Sequence, residues 1–283
     1  MSGEKVTVAT TIPELEAARA RVTGSLALVP TMGALHEGHL SLIRRAAAEA
    51  DSVAVSIFVN PLQFTPGEDL DRYPRMLDAD LRACEEAGVD LVFAPRPEVV
   101  YPEPPVVTVA PGRMGTLLEG AHRPGHFDGV LTVVLKLFHL VRPHVAVFGQ
   151  KDAQQLAMVR RMVDDLNVGV RVLAGETVRE PDGLALSSRN RYLTPADRET
   201  AVALSRALFA GRDAASDGPG AVREAAEKEL SAATGDLTID YLALVDPNTF
   251  EPVDPSHEGP ALLAVAARAG TTRLIDNVPL TLP

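Results

Sequence analysis

Apolar residues along this chain fall alternately into short unbroken runs and into runs of helical spacing, which predicts β-α-β units. Ser25-Leu-Ala-Leu-Val-Pro30 is a short apolar strand candidate. Beyond the polar, glycine-containing stretch Thr31 to Gly38, the residues Leu40, Ile43, Ala47 and Ala50 recur at helical spacing, with Arg44, Arg45 and Glu49 on the other face. Val53-Ala-Val-Ser-Ile-Phe-Val59 follows as an unbroken run, the pattern of a strand covered on both faces in a parallel sheet. A second unit repeats this order. Val145-Ala-Val-Phe148 predicts a strand, Gly149-Gln-Lys-Asp152 a turn, and Leu156, Val159, Val163 and Leu166 a helix before the strand Val168 to Leu173. Between the units, Leu77 to Ala87 predicts a helix and Val89 to Phe93 a strand, while Val130 to Val141 has the periodicity of a buried helix.

The pattern changes near Thr177. Pro181-Asp-Gly183 is a turn signal, and a polar loop runs on to Thr194-Pro195, where Thr194 suits a helix N-cap and Pro195 the first helical position. Two alanine-rich helices follow, separated by Ser216-Asp-Gly-Pro-Gly220, and then strands over Ile239–Val245, Ala261–Ala267 and Arg273–Ile275. The predicted fold class is therefore α/β: a Rossmann-like parallel sheet with helices on both faces over residues 1–177, and a smaller C-terminal α/β domain over 178–283.

Composition narrows the function classes. With 46% hydrophobic residues the chain has the material for a core, and 27 basic against 38 acidic residues leave a net charge of −11. That balance argues against nucleic acid and against a polybasic membrane surface as partners, without forbidding a local basic pocket for a small anion. One cysteine, Cys84, excludes a disulfide framework, and its helical setting beside Glu85 and Glu86 suits a structural thiol. Met1-Ser-Gly-Glu-Lys5 lacks the apolar stretch of a signal peptide, and Val130 to Val141 is too short to span a bilayer, so a cytoplasmic location is expected.

Candidate chemistry concentrates in loops that follow predicted strands. Thr31-Met-Gly-Ala-Leu-His-Glu-Gly-His39 joins a buried strand to a helix, where unpaired N–H groups and a partial positive charge suit phosphate. Gly33 and Gly38 allow close backbone approach, and His36 and His39 supply further donors as charge builds during phosphoryl transfer. The spacing is not that of a zinc protease, whose two histidines stand four apart on one helix. A capped turn with two surface histidines is the plainer alternative. In Asn60-Pro-Leu-Gln-Phe64, Gln63 offers a neutral amide at a strand's C-terminal end, where open α/β sheets bind ligands. Lys151 suits phosphate charge, and Asp152 suits a ribose or a magnesium-bound water. Leu186-Ser-Ser-Arg189 places two hydroxyls and a guanidinium fork in the interdomain loop.

Pro30 to His39 resembles the H-x-G-H signature of the nucleotidyl-transfer superfamily, and its fuller string resembles the pantoate-β-alanine ligases. The likeness extends through Asn60–Phe64, Gly149–Asp152 and Leu186–Arg189 to Asp276-Asn277, in order along nearly the whole chain. It implies ATP as co-substrate with Mg2+, pantoate and β-alanine as the other substrates, and a homodimer. It assigns ATP to Met32, Gly33, Ala34, Leu35, His36, Glu37, Gly38, His39, Gly149, Gln150, Lys151 and Asp152. The backbone of Val178 and the segment Leu186, Ser187, Ser188 and Arg189 join them. Gln63 and Gln155 fall to pantoate, and Gln63 also to β-alanine. His39, His36 and Lys151 are the catalytic candidates, with His39 first, as a proton donor. The C-terminal domain is expected to close over the active site. Gln150 stands where many relatives carry Glu, and Leu186 where the family usually has Met. Glu119 to Gly129 also matches, with Arg123 and His126 either facing the cleft or capping the helix; the magnesium ligands stay open. The alternatives are a nucleotidylyltransferase, which shares the first motif, a tRNA synthetase, and a non-catalytic sensor that binds ATP without turnover. An RNA-binding enzyme fits poorly with this charge and length.

Overall fold

The computed structural model describes residues 6–283, so the expectation concerning Met1 to Lys5 lies outside the described residues. The chain divides into two compact units. The first comprises the residues up to Gly115 together with Arg123–Gly149 and Met158–Glu176; the second comprises Thr116–His122, Gln150–Ala157 and Thr177–Pro283.

The first unit opens with β1 (Thr7–Ala9) and α1 (Ile12–Arg21). Neither is evident in the apolar pattern. The strand has three residues, and α1 buries only Leu15 and Ala18. What starts α1 is local chemistry, a reciprocal cap in which Thr11 accepts from the N–H of Glu14 while the Glu14 carboxylate takes the N–H of Thr11. Then follow β2 (Leu26–Thr31), α2 (Glu37–Ala47), β3 (Ser52–Ile57), α3 (Leu77–Glu86) and β4 (Leu91–Phe93). A short turn of helix, α4 (Pro97–Val100), precedes α5 (Glu119–His122) of the second unit. α6 (His126–Val141) and β5 (Val145–Gly149) return to the first, and α7 (Ala153–Asp165) leads to β6 (Arg171–Gly175).

All six strands are parallel, in the order β1-β4-β3-β2-β5-β6. Successive strands step outward from β2 to β3 to β4, after which β5 returns to the other side of β2. The crevice beyond the carboxyl ends of β2 and β5 is the topological switch point, where open α/β sheets bind ligands. Ala27, Val29, Val145 and Val147 point to one face and meet Leu42, Ile43 and Ala46 of α2 and Cys84 of α3. Phe148 points to the other face and meets Phe138 of α6 edge-on at 6.3 Å. Helices thus cover both faces, as the unbroken apolar runs require.

Two helical stripes are phased differently from the sequence reading. In α2 the buried positions are Leu42, Ile43 and Ala46, while Ala47 is exposed and Ala50 lies past the helix end. In α7 the two methionines Met158 and Met162 take core positions with Leu156 and Val159, and Leu166 is 52% exposed beyond the helix. The last strand of this sheet is also later than expected, at Arg171–Gly175 rather than Val168–Leu173.

The second unit carries α8 (Pro195–Asp213) and α9 (Pro219–Ser231) packed on an antiparallel sheet of β7 (Leu237–Val245), β8 (Gly259–Ala269) and β9 (Thr272–Leu282). Thr194 caps α8 in a reciprocal box with Asp197, with Pro195 next, as the sequence indicates. β9 runs seven residues beyond the predicted end at Ile275, through Asp276-Asn277 and Pro279. As an edge strand it tolerates a proline, because one side of its ladder has no partner. Asp276 and Asn277 look like turn residues in sequence yet are 4% and 5% exposed, because each is engaged by groups of the same unit.

Candidate active site

In the first unit the loop after β2 runs through Gly33, with φ +83°, and Ala34, with φ +51°. Both lie in the left-handed region, which Gly adopts freely and Ala at a cost. A Cβ on Gly33 would come within 2.9 Å of Asp80 Oδ2, so the turn needs glycine for room as well as for conformation. Asp80 is 3% exposed, on α3. It accepts the N–H of Ala34 at 2.9 Å through Oδ2 and that of Leu35 at 2.8 Å through Oδ1. Two of the backbone donors that the sequence reading leaves open to phosphate are thus held by a carboxylate of the protein itself.

α2 begins at this loop, and its two histidines cap it. His36 Nδ1 accepts from the N–H of Gly38 at 3.2 Å, and His39 Nδ1 accepts from the N–H of His36 at 3.3 Å. A ring nitrogen that accepts from N–H carries no proton, so each neutral imidazole bears its proton on Nε2. The rings lie 4.1 Å apart at 40°. Burial, and next to it the neighbouring His36 ring, press the His39 pKa down to about 3. His39 is therefore neutral at pH 7. In that state it presents an Nε2–H as a hydrogen-bond donor.

This pKa has a consequence for stability. His39 takes up a proton near pH 6.5 when unfolded but only near 3 when folded. The unfolded chain then binds more protons between these values, so stability is full above about pH 6.5 and falls as the pH drops towards 3. About 2 kcal/mol should be lost to this group by pH 5. Urea midpoints measured from pH 7.5 to 5 are expected to fall more steeply for the wild type than for His39→Asn, whose side chain does not titrate.

Beyond β3, Asn60 caps a 3-10 turn over Pro61–Gln63. Asn60 Nδ2 reaches Gln63 Oε1 and the carbonyl of Gly129, both at 3.1 Å. Gly129 makes this possible, since a Cβ there would sit 2.2 Å from the Leu62 carbonyl oxygen. The Gln63 amide nitrogen rests 3.0 Å from Met32 Sδ. Its backbone carbonyl accepts from His126 Nδ1 at 2.7 Å, while Arg123 Nη1 donates to His126 Nε2 at 2.9 Å and Arg123 Nε to Glu68 at 2.5 Å. Arg123 and His126 therefore brace Gln63 from behind, a role the sequence reading leaves open. Cys84 is buried on α3, and burial, followed by the charge of Asp80, raises its thiol to about 12, as suits a structural cysteine.

Gly149 ends β5 in the first unit, while Gln150, Lys151, Asp152 and Gln155 belong to the second. There Gln154, not Gln155, is buried. It accepts the N–H of Glu119 and donates to the Leu117 carbonyl, while Gln155 is half-buried. Asn277 Nδ2 donates to the carbonyls of Gln150 at 3.0 Å and Lys151 at 2.8 Å. What the fold uses at Gln150 is thus its backbone. Val178 and Leu186 face each other in a hairpin closed by Leu186 N–H to Val178 O at 2.9 Å. Ser187 then caps the 3-10 turn of Ser188–Tyr192 by accepting the N–H of Arg189. Arg179, beside Val178, makes a two-pronged ion pair with Asp276 at 2.6 and 3.0 Å.

A model of the pantoate-beta-alanine ligase family matches residues 7–279. The chain belongs to this family of ligases. Pantothenate synthetase of Thermobifida fusca is 62% identical over 99% of this chain and 98% of its own length, and that of Acidothermus cellulolyticus is 59% identical over 96% and 91%. Among solved structures, pantothenate synthetase from Thermus thermophilus superposes with a TM-score of 0.90 at 49% identity, covering 96% of this chain and 99% of that one. The pantoate-β-alanine ligase of Francisella tularensis, complexed with beta-gamma ATP and β-alanine, gives 0.80 at 33% identity over 96% and 97%. The family likeness thus extends over nearly all of the described residues.

Proposed function

We propose that this ligase joins pantoate to β-alanine in two steps with the residues set out below. In the first, a pantoate carboxylate oxygen attacks the α-phosphorus of ATP, the bond to the β-phosphate breaks, and pantoyl adenylate and pyrophosphate form. In the second, the uncharged amine of β-alanine attacks the acyl carbon, the acyl–oxygen bond to AMP breaks, and the amine loses a proton. The reading rests above all on the paired Nε2–H imidazoles of His36 and His39 at the sheet's switch point, in a chain that matches the ligase family over residues 7–279.

Charge building on the phosphate oxygens is met by the Nε2–H groups of His36 and His39, by Lys151, and by Ser187, Ser188 and Arg189. Such donors, fixed in place before the reaction, act electrostatically. Met32–His39, Gly149–Asp152, the Val178 backbone and Leu186 line the nucleotide. Gln63 and Gln155 take pantoate, and Gln63 stands beside β-alanine. The Gln63 amide now spends a donor on a thioether, a weak acceptor, so a pantoate oxygen replaces that contact at little cost. Magnesium arrives on the nucleotide phosphates. Among the described residues no group of three or more His, Cys, Asp or Glu is placed to hold a metal ion. No helix among the described residues is long and apolar enough to cross a membrane. A homodimer is the expected working form on the family resemblance, and a cytoplasmic location is expected from the sequence.

The test is AMP release from magnesium ATP, pantoate and β-alanine, with pyrophosphate exchange into ATP measured alongside. AMP formation should require both organic substrates, and exchange should require pantoate alone. Nucleotide binding without either reaction would make the chain a sensor rather than a ligase.

A further inference from the structure

We infer that Asp80 is a positioning residue for the adenylation step: from α3 it fixes the loop that aims His36 and His39. This inference rests on the reading of those histidines given above. Asp80 is buried and offers one carboxylate oxygen to each of two successive N–H groups, of Ala34 and Leu35. Those residues immediately precede His36, whose own N–H is the donor received by His39 Nδ1. The carboxylate, the left-handed pair Gly33 and Ala34, and the two capping rings thus form one continuous chain of contacts. Without the carboxylate, the buried N–H of Ala34 and the half-buried N–H of Leu35 lose their acceptors, while Ala34 must still be held in the costly left-handed region at φ +51°. The loop would relax, and the two rings would lose their shared orientation.

Charge placement makes the assignment unusual. A loop joining a strand to a helix at a switch point ordinarily turns its N–H groups towards an anionic ligand. Here an internal carboxylate takes two of them, so that phosphate recognition passes to the imidazoles. Asp80 stands four residues before buried Cys84, on the same face of α3, which makes its burial a consequence of helical register.

Asp80→Asn keeps the volume but leaves one acceptor oxygen for two N–H groups, and Asp80→Ala leaves none. Pantoate-dependent pyrophosphate exchange is expected to fall in kcat by about 100-fold for Asp80→Ala and less for Asp80→Asn, with KM for pantoate little changed. Reaction of supplied pantoyl adenylate with β-alanine should keep its KM for β-alanine. The separate structural readout is the nitrogen NMR signature of the two rings. Wild type should show both protonated on Nε2, and the variants a mixture of tautomers. A folded Asp80→Asn with wild-type exchange, or with both rings still held as Nε2–H, would overturn the inference. Should Asp80→Ala fail to fold, Asp80→Asn decides alone. Wild type lacking exchange would instead overturn the ligase reading, and the ring tautomers would still report on Asp80.

Discussion

Replacing His39 with Asn is expected to lower pantoate-dependent pyrophosphate exchange by about 100- to 1000-fold while leaving α2 folded. Asn places an amide close to where the imidazole carries Nδ1, so it accepts the N–H of His36 and keeps the cap. It has nothing at the position of Nε2. The missing donor, rather than a damaged helix, then accounts for the loss. His39→Gln reaches the Nε2 position with an amide N–H and should retain much more activity, within about tenfold of the wild type. The pH profile separates the two roles proposed for this ring. With its pKa near 3, a neutral His39 contributes no inflection between pH 5 and 8. An acid limb near pH 6 that disappears in His39→Asn would show that the ring works as a protonated acid instead.

The elements legible in the sequence are those whose burial is decided by apolar runs. β2, β3 and β5 are central strands covered on both faces, and their short, mostly apolar runs leave little ambiguity. β1 and α1 lack that signal, since a three-residue edge strand and a helix with two buried residues are specified by capping and pairing more than by hydrophobicity. β9 is the more instructive case. Asp276-Asn277 has turn chemistry, yet both residues lie within the strand, where Arg179 neutralises the aspartate and the Gln150 and Lys151 carbonyls occupy the asparagine amide. These partners lie about 100 residues or more away in sequence, beyond the reach of any local pattern.

The candidate site shows the same division. His36, His39, Gln63, Lys151 and the Leu186–Arg189 segment all stand out in sequence because each sits on a polar loop beside an apolar element. Their supports do not. Asp80 occurs within a helical stretch rich in acidic residues, where one aspartate looks like another, and only its i, i+4 relation to buried Cys84 marks it. His126 and Arg123 stand out as chemistry-bearing residues, but their partner is the backbone carbonyl of Gln63, which no side-chain pattern reveals.

Arg179→Ala is expected to destabilise the second unit by about 3 to 5 kcal/mol and to weaken ATP binding as well. The guanidinium holds Asp276 through two oxygens, reaches the Gly183 carbonyl at 3.1 Å, and lies over the Phe209 ring at 4.9 Å. Removing it strands a carboxylate that is 4% exposed, with only the N–H of Asn277 left on it. Urea unfolding should report the loss as an earlier midpoint. Asp276 also orients Asn277, whose amide grips the backbone at Gln150 and Lys151, so KM for ATP should rise at temperatures where the variant is still folded. Arg179→Met combined with Asp276→Leu removes both charges and fills their space, and should recover much of the stability. KM for ATP is expected to stay high in that double variant, because Asn277 has lost the carboxylate that aims it. A double variant with both properties restored would show that the ion pair matters only to folding, and that Lys151 is positioned by other contacts.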